Sequence, residues 1–207
     1  MGKLLKKLFY ALLICSFLYT CVYHRVTHLS SDELEWVTNR KVGEIMYFKS
    51  QFGEVDTVEI FDTYINNSLS PLNFAYFNIS QHEYIANASV FFTSKNKSGM
   101  DGDLFVKKPF NGKPIVFSGG VFMKNRETIP LKLTTLRLHN QTLDDVMFFG
   151  NLKPLNNDLP ENPVMSYAWS KKYGLVQYTF KDGTVFTRID IKKQGSHRGD
   201  WAERGYI

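Results

Sequence analysis

Apolar and polar residues alternate with a period of two over most of this chain, the signature of strands with one face buried. Along residues 84–93, Tyr84, Ala86, Ala88, Val90 and Phe92 alternate with Ile85, Asn87, Ser89 and Phe91, and the first set makes a core face. Residues 44–49 and 55–62 flank Ser50-Gln51-Phe52-Gly53, a hairpin turn in which Gly53 takes a positive φ. Residues 72–79, 103–107, 115–118, 121–123 and 146–149 read as further short strands, with Gly119-Gly120 as a bulge or bend. Ile129, Leu131 and Leu133 alternate with Pro130, Lys132 and Thr134 as a half-buried strand. The ribbon 165–170, 174–181 and 184–191 closes the series, with Asp182-Gly183 as a two-residue hairpin.

This pattern predicts a mainly β fold: an antiparallel meander curled into a half-barrel or small barrel, with one short N-terminal helix. A β-sandwich is the alternative. The short helix falls around residues 32–38, because Ser30 and Glu33 have capping-box spacing. The organisation expected is an export signal or anchor over 1–21, a tether with the short helix over 22–40, a single β domain over 41–193 and a frayed polar tail over 194–207.

The N-terminus breaks the strand rhythm. Lys3, Lys6 and Lys7 precede an uncharged apolar run from Leu8 to residue 23. Cations left in the cytoplasm and an apolar segment entering the bilayer are the layout of an export signal. As a helix the run spans roughly 24 Å at about 1.5 Å per residue, short of the roughly 30 Å hydrocarbon core. No small-residue cleavage site follows. Leu18-Tyr19-Thr20-Cys21 instead resembles a lipobox, with Tyr19 bulkier than usual and Thr20 in place of Gly, Ala or Ser. Cys21 is therefore the expected lipid-attachment residue; acyl chains contribute about 0.8 kcal/mol per buried CH₂. The expected address is the bacterial cell envelope, anchored to a membrane. Val22, which is not the Asp that resembles an inner-membrane retention signal, tilts the choice toward the outer membrane. The alternative is a single-pass inner-membrane protein with its N-terminus in the cytoplasm.

Composition narrows the chemistry. Cys15 and Cys21 are the only cysteines, so residues beyond 21 offer no disulfide, thiolate nucleophile or Cys-based zinc site. The net charge of +5 is concentrated in the N-terminal lysines and the last sixteen residues, leaving the body near neutral, which argues against nucleic acid. His24, His28, His82, His139 and His197 show no metal-ligand spacing, and no nucleotide-binding glycine loop or nucleophile elbow is present. No cofactor, metal or catalytic residue is expected. The aromatic set Tyr167, Trp169, Tyr173, Tyr178, Phe180 and Phe186 reads first as core filling and second as a concave ligand surface.

Ser166-Tyr167-Ala168-Trp169-Ser170-Lys171-Lys172-Tyr173-Gly174-Leu175-Val176-Gln177-Tyr178, followed by Asp182-Gly183-Thr184-Val185-Phe186, resembles the closing strand pair of uncharacterised Bacteroidota cell-envelope lipoproteins. Glu35-Trp36 and residues 48–58 resemble the start of such proteins. The resemblance implies an envelope address and a β-rich domain, and carries over no site residue.

The expected function is a non-enzymatic, membrane-tethered envelope lipoprotein whose β domain binds an apolar ligand, a glycan or a partner protein. One alternative is an exported hydrolase, which needs two of Asp101, Asp103, Asp144 and Asp145, or one of them with His82 or His139, in a single pocket. Another is a structural accessory subunit pairing through its edge strands.

Overall fold

A computed structural model describes residues 2–22, 25–67, 83–97, 100–110, 112–121, 125–138, 141–150 and 161–191. The expected strand over 72–79, His24, His82, His139, His197 and the tail 194–207 lie outside these residues.

Helix α1 (Gly2–Val22) carries the apolar run, and α2 (Ser31–Thr38) follows. Ser30 accepts the Glu33 backbone N–H through its side chain while the Glu33 carboxylate accepts the Ser30 N–H, completing the capping box. Between the helices, β1 (Arg25–Val26) pairs in parallel with β4 (Glu83–Tyr84). Thr27 Oγ1 donates to Lys108 O at 2.9 Å and accepts from Ala86 N at 2.9 Å. Asn67 closes a two-way amide clasp on Leu29, at 2.6 and 3.0 Å. The segment joining the helices is thus stitched to the sheet.

The other strands are β2 (Ile45–Ser50), β3 (Val55–Asn66), β5 (Asn87–Ser94), β6 (Gly102–Lys107), β7 (Val116–Val121), β8 (Asn125–Pro130), β9 (Thr134–Leu138), β10 (Gln141–Phe149), β11 (Val164–Ser170), β12 (Gly174–Phe180) and β13 (Val185–Arg188). They form one 11-stranded antiparallel sheet in the order β8-β7-β6-β5-β3-β2-β13-β12-β11-β10-β9. Except for β8 and β9, strands adjacent along this series are adjacent in the sheet, and the last, β13, pairs with the first, β2. The two edges, β8 and β9, run in the same direction and are separated by residues 131–133 alone. One extended stretch of chain therefore serves as both edges, which requires the sheet to curl into a half-barrel. Register shifts at Phe61, between Leu143 and Val146, and between Ala168 and Trp169 supply bends.

The concave face is filled by side chains. Phe48, Phe92, Phe117, Phe149, Tyr167, Trp169, Tyr178 and Phe186 are all fully buried. Aromatic pairs link the two halves: Phe92 lies 5.8 Å from Trp169 and 5.9 Å from Tyr167. Tyr167 reaches across to donate its hydroxyl to Asp103 O at 2.7 Å. Helix α2 plugs one end, its Trp36 edge-on to Phe117 at 4.9 Å. A smaller apolar cluster of Leu138, Leu143, Val146, Ala168 and Val176 forms where the β9–β10 hairpin folds over the convex side.

Local departures from the sequence pattern have physical causes. Residues 116–121 form one continuous strand without a bend at Gly119-Gly120, in unbroken register with both neighbours. The glycine is needed for close approach instead: a Cβ on Gly119 would sit 2.6 Å from Phe149 Cδ1 and closer still to the Tyr167 hydroxyl. The Asp182-Gly183 hairpin has three loop residues, because Gly183, at φ 87°, follows a turn closed by Gly183 N donating to Phe180 O at 3.0 Å. Leu131 and Leu133 are exposed, since β8 ends at the donor-less Pro130 and the chain there crosses between sheet edges.

Ion pairs dock α2. Glu33 holds Lys108, and Lys171 holds Asp32 and, at 3.2 Å, Glu35. Burial pushes the Glu33 carboxyl up, but the bond from Lys108 and the Ser30 N–H together outweigh it and leave Glu33 below its ordinary range. A depressed carboxylate contributes stability above its unfolded pKa and loses it as pH falls through the folded one. Glu33→Gln is therefore expected to flatten the loss of melting temperature between about pH 5 and pH 3, as read by thermal denaturation across that range; an unchanged slope would remove Glu33 from the acid response.

Candidate functional site

The alternating strand directions sort the connections by end. Helix α2, β1 and the 171–173 turn lie at one end; the β2–β3, β5–β6 and β12–β13 connections lie at the other. At that second end opens a cleft of about 390 Å³. Phe180 and Phe186 form its floor. Its rim carries Glu54, Lys97, Glu161 and Asp182, with Asn96, Asn162 and Thr184 between them.

The floor is held from behind. Phe186 stacks on Tyr178 with centroids 5.1 Å apart and planes at 6°, and Phe180 meets both edge-on. The Tyr178 hydroxyl donates to Asp56 Oδ2 at 2.5 Å. Asp56, fully buried, also accepts from Ser94 Oγ at 2.7 Å and Thr57 N at 2.7 Å. Burial, then the Asp56 carboxylate, pushes the Tyr178 phenol far above its ordinary range, so it stays a donor. Ser94 Oγ in turn accepts from Lys97 N at 2.8 Å, which fixes the turn carrying Lys97.

On the rim, Lys97 Nζ pairs with Glu54 Oε2 at 2.8 Å and lies 5.4 Å from the Phe186 centroid. Asp182 accepts from Asn162 Nδ2 at 2.8 Å and from Thr184 N at 2.8 Å; the Thr184 N–H holds its carboxyl below the usual range. The cleft thus offers donors and acceptors in close alternation around an aromatic floor. That arrangement suits binding a polyhydroxylated molecule by many hydrogen bonds.

The four candidate carboxylates Asp101, Asp103, Asp144 and Asp145 sit elsewhere. Asp101 accepts from Thr93, and Asp103 is buried on β6. Asp144 is exposed on β10. Asp145 is structural, accepting from Ser170 Oγ at 3.0 Å and Lys172 N at 2.8 Å to close the β11–β12 turn. None of the four lines this cleft. Among the described residues no group of His, Cys, Asp and Glu could hold a metal ion. Of the aromatic set, Tyr167, Trp169, Tyr178 and Phe186 are fully buried and Phe180 nearly so, while Tyr173 packs on the smaller cluster; Phe180 and Phe186 close the bottom of the cleft from the core side. Cys21 lies in α1, and its side chain is outside the described residues; Cys15 is an exposed free thiol.

The fold and cleft define a filled antiparallel half-barrel with an end-on polar cleft. No family model, curated protein or solved structure matches the chain.

Proposed function

We propose that this protein is a non-enzymatic, membrane-tethered module of a bacterial cell envelope that presents its end-on cleft to a glycan. The observation that carries the tether is helix α1. Leu4, Leu5, Leu8, Phe9, Tyr10, Leu12, Leu13 and Ile14 are each more than half exposed, so protein covers no face of the helix over residues 2–15. An apolar helix uncovered all round, led by lysines, is stabilised by an apolar medium. Among the described residues no helix is long and apolar enough to cross a membrane. That favours acylation at Cys21 as the durable attachment.

Residues 23 and 24 alone separate α1 from β1, so the anchor meets the end of the half-barrel that α2 plugs. The cleft then faces away from the membrane. A glycan fits this reading better than an apolar ligand, because the barrel interior is occupied by aromatic side chains. Cys21→Ala is expected to move the protein from the membrane to the soluble fraction with its β domain folded. Intact mass of the wild-type protein from native membranes is expected to show acyl chains on Cys21. Membrane retention of the variant, with the unprocessed mass, would instead assign the tether to α1.

A further inference from the structure

Strand β13 divides its side chains between two clefts. Thr184, at its threshold, and Phe186 line the end-on cleft, while Val185 and Thr187 line a second one on the convex side, of about 350 Å³. Its other walls come from two layers. Lys49, Ser50 and Gln51 belong to the end of β2 and its turn, and Arg137 is on the β9–β10 hairpin that folds over the outside. Where the first cleft has three carboxylates on its rim, the second has none.

The polar groups of the second cleft are biased toward donation. Gln51 is fixed by giving its amide N–H to Gly183 O at 3.1 Å and accepting Val185 N at 2.7 Å. Thr187 Oγ1 accepts from Gln177 Nε2 at 3.4 Å, so its own proton is still available to give. Among the described residues neither Lys49 nor Arg137 pairs with a carboxylate, in contrast to Lys95, Lys97, Lys108, Lys171, Arg40 and Arg188. Two cations from separate layers line one cleft whose walls hold no carboxylate, which favours an anion there over a cation. A guanidinium fork and an ammonium lining the same cleft match the oxygens of a phosphate or carboxylate.

We infer that the cleft between the β9–β10 hairpin and the outer face of β13 binds an oxyanion, a phosphate or a carboxylate, held by Arg137 and Lys49 with Thr187 donating. The site does not depend on the tether or on glycan binding. It lies toward the end of the half-barrel away from the anchor, which favours an anionic group on a soluble or polymeric ligand over a lipid headgroup.

Full-length protein in phosphatidylcholine nanodiscs, titrated with inorganic phosphate at constant ionic strength against chloride, tests it by amide NMR. Saturable shifts at Gln177, Val185 and Thr187 are expected, weakened at least tenfold in Lys49→Gln/Arg137→Gln and unchanged in Lys181→Gln. Saturation on incorporating phosphatidylglycerol but not on adding phosphate, lost in the double variant, also supports an oxyanion site and assigns the headgroup as its source. Absence of saturation in both arms, or equal saturation in the double variant (an adventitious ion only), overturns the site. Both variant residues are exposed, so an otherwise superimposable spectrum verifies the fold.

Discussion

Gly119→Ala is expected to destabilise the domain by about 2–4 kcal/mol, and Gly119→Val by more, a large share of the roughly 5–15 kcal/mol that holds a domain together. Neither φ strain nor strand propensity is responsible. Gly119 sits in mid-strand on β7, and its missing side chain is what lets the opposite wall of the half-barrel close. A Cβ there would fall 2.6 Å from Phe149 Cδ1 and 2.7 Å from Phe149 Cγ, and would overlap the Tyr167 hydroxyl. Phe149 and Tyr167 cannot retreat, because they pack on each other at 4.8 Å and both are fully buried. Shifting Tyr167 also breaks its 2.7 Å bond to Asp103 O, which leaves a buried carbonyl without that donor. Denaturant melts give the comparison directly. Tyr167→Phe, which removes the overlapping oxygen, is expected to recover part of the Gly119→Ala loss in the double variant. A neutral Gly119→Ala would mean that the two walls do not meet at this point.

Alternation and turn residues made the strands legible because both are local. Val58 and Ile60, Ala88, Val90 and Phe92, and Leu104 and Val106 are core residues on strands whose period is two. Gly53 at φ 90° and the Ser30–Glu33 capping box were legible for the same reason. Pairing across long separations was not. Nothing near Phe186 announces that its strand lies beside Ser50, or that residues 125–138 serve both edges of the sheet. Gly119-Gly120 read as a bend because a glycine's need for space is set by Tyr167 and Phe149, which are distant in sequence.

The clefts were hidden by the same distance. Glu54, Lys97 and Asp182 come from three separate turns, and each alone reads as an ordinary solvated loop charge. What joins them is the antiparallel alternation, which sends those turns to one end. Asp144 and Asp145 are adjacent in sequence, yet Asp144 is exposed and Asp145 closes a turn. The one local signal for this end is Asp56, in phase with the core residues Val58 and Ile60: an acid on the core face needs buried donors.

Asp56→Ala is accordingly expected to cost about 3–5 kcal/mol, the range for removing one member of a buried charged network. The carboxylate accepts from Tyr178, Ser94 and the Thr57 N–H, and all three lose their acceptor at once. Asn at this position keeps one carbonyl oxygen but points an N–H₂ at groups that are themselves donating, so Asp56→Asn is expected to recover little. Tyr178→Phe, which removes a donor and leaves the carboxylate its other two, is expected to cost about 1–2 kcal/mol. Because the two residues share one bond, the double variant should fall short of the sum by about 1–3 kcal/mol, measured by urea denaturation of the four species. The loss should also extend beyond stability. Ser94 holds both Asp56 and the Lys97 N–H, and Lys97 sits on Phe186 at the cleft floor, so Asp56→Ala is expected to free the turn that forms one wall of the cleft. Increased hydrogen exchange at Asn96 and Lys97, with α2 still protected, would separate this local release from global unfolding. Strict additivity in the cycle would mean that the Tyr178 hydroxyl draws nothing from Asp56.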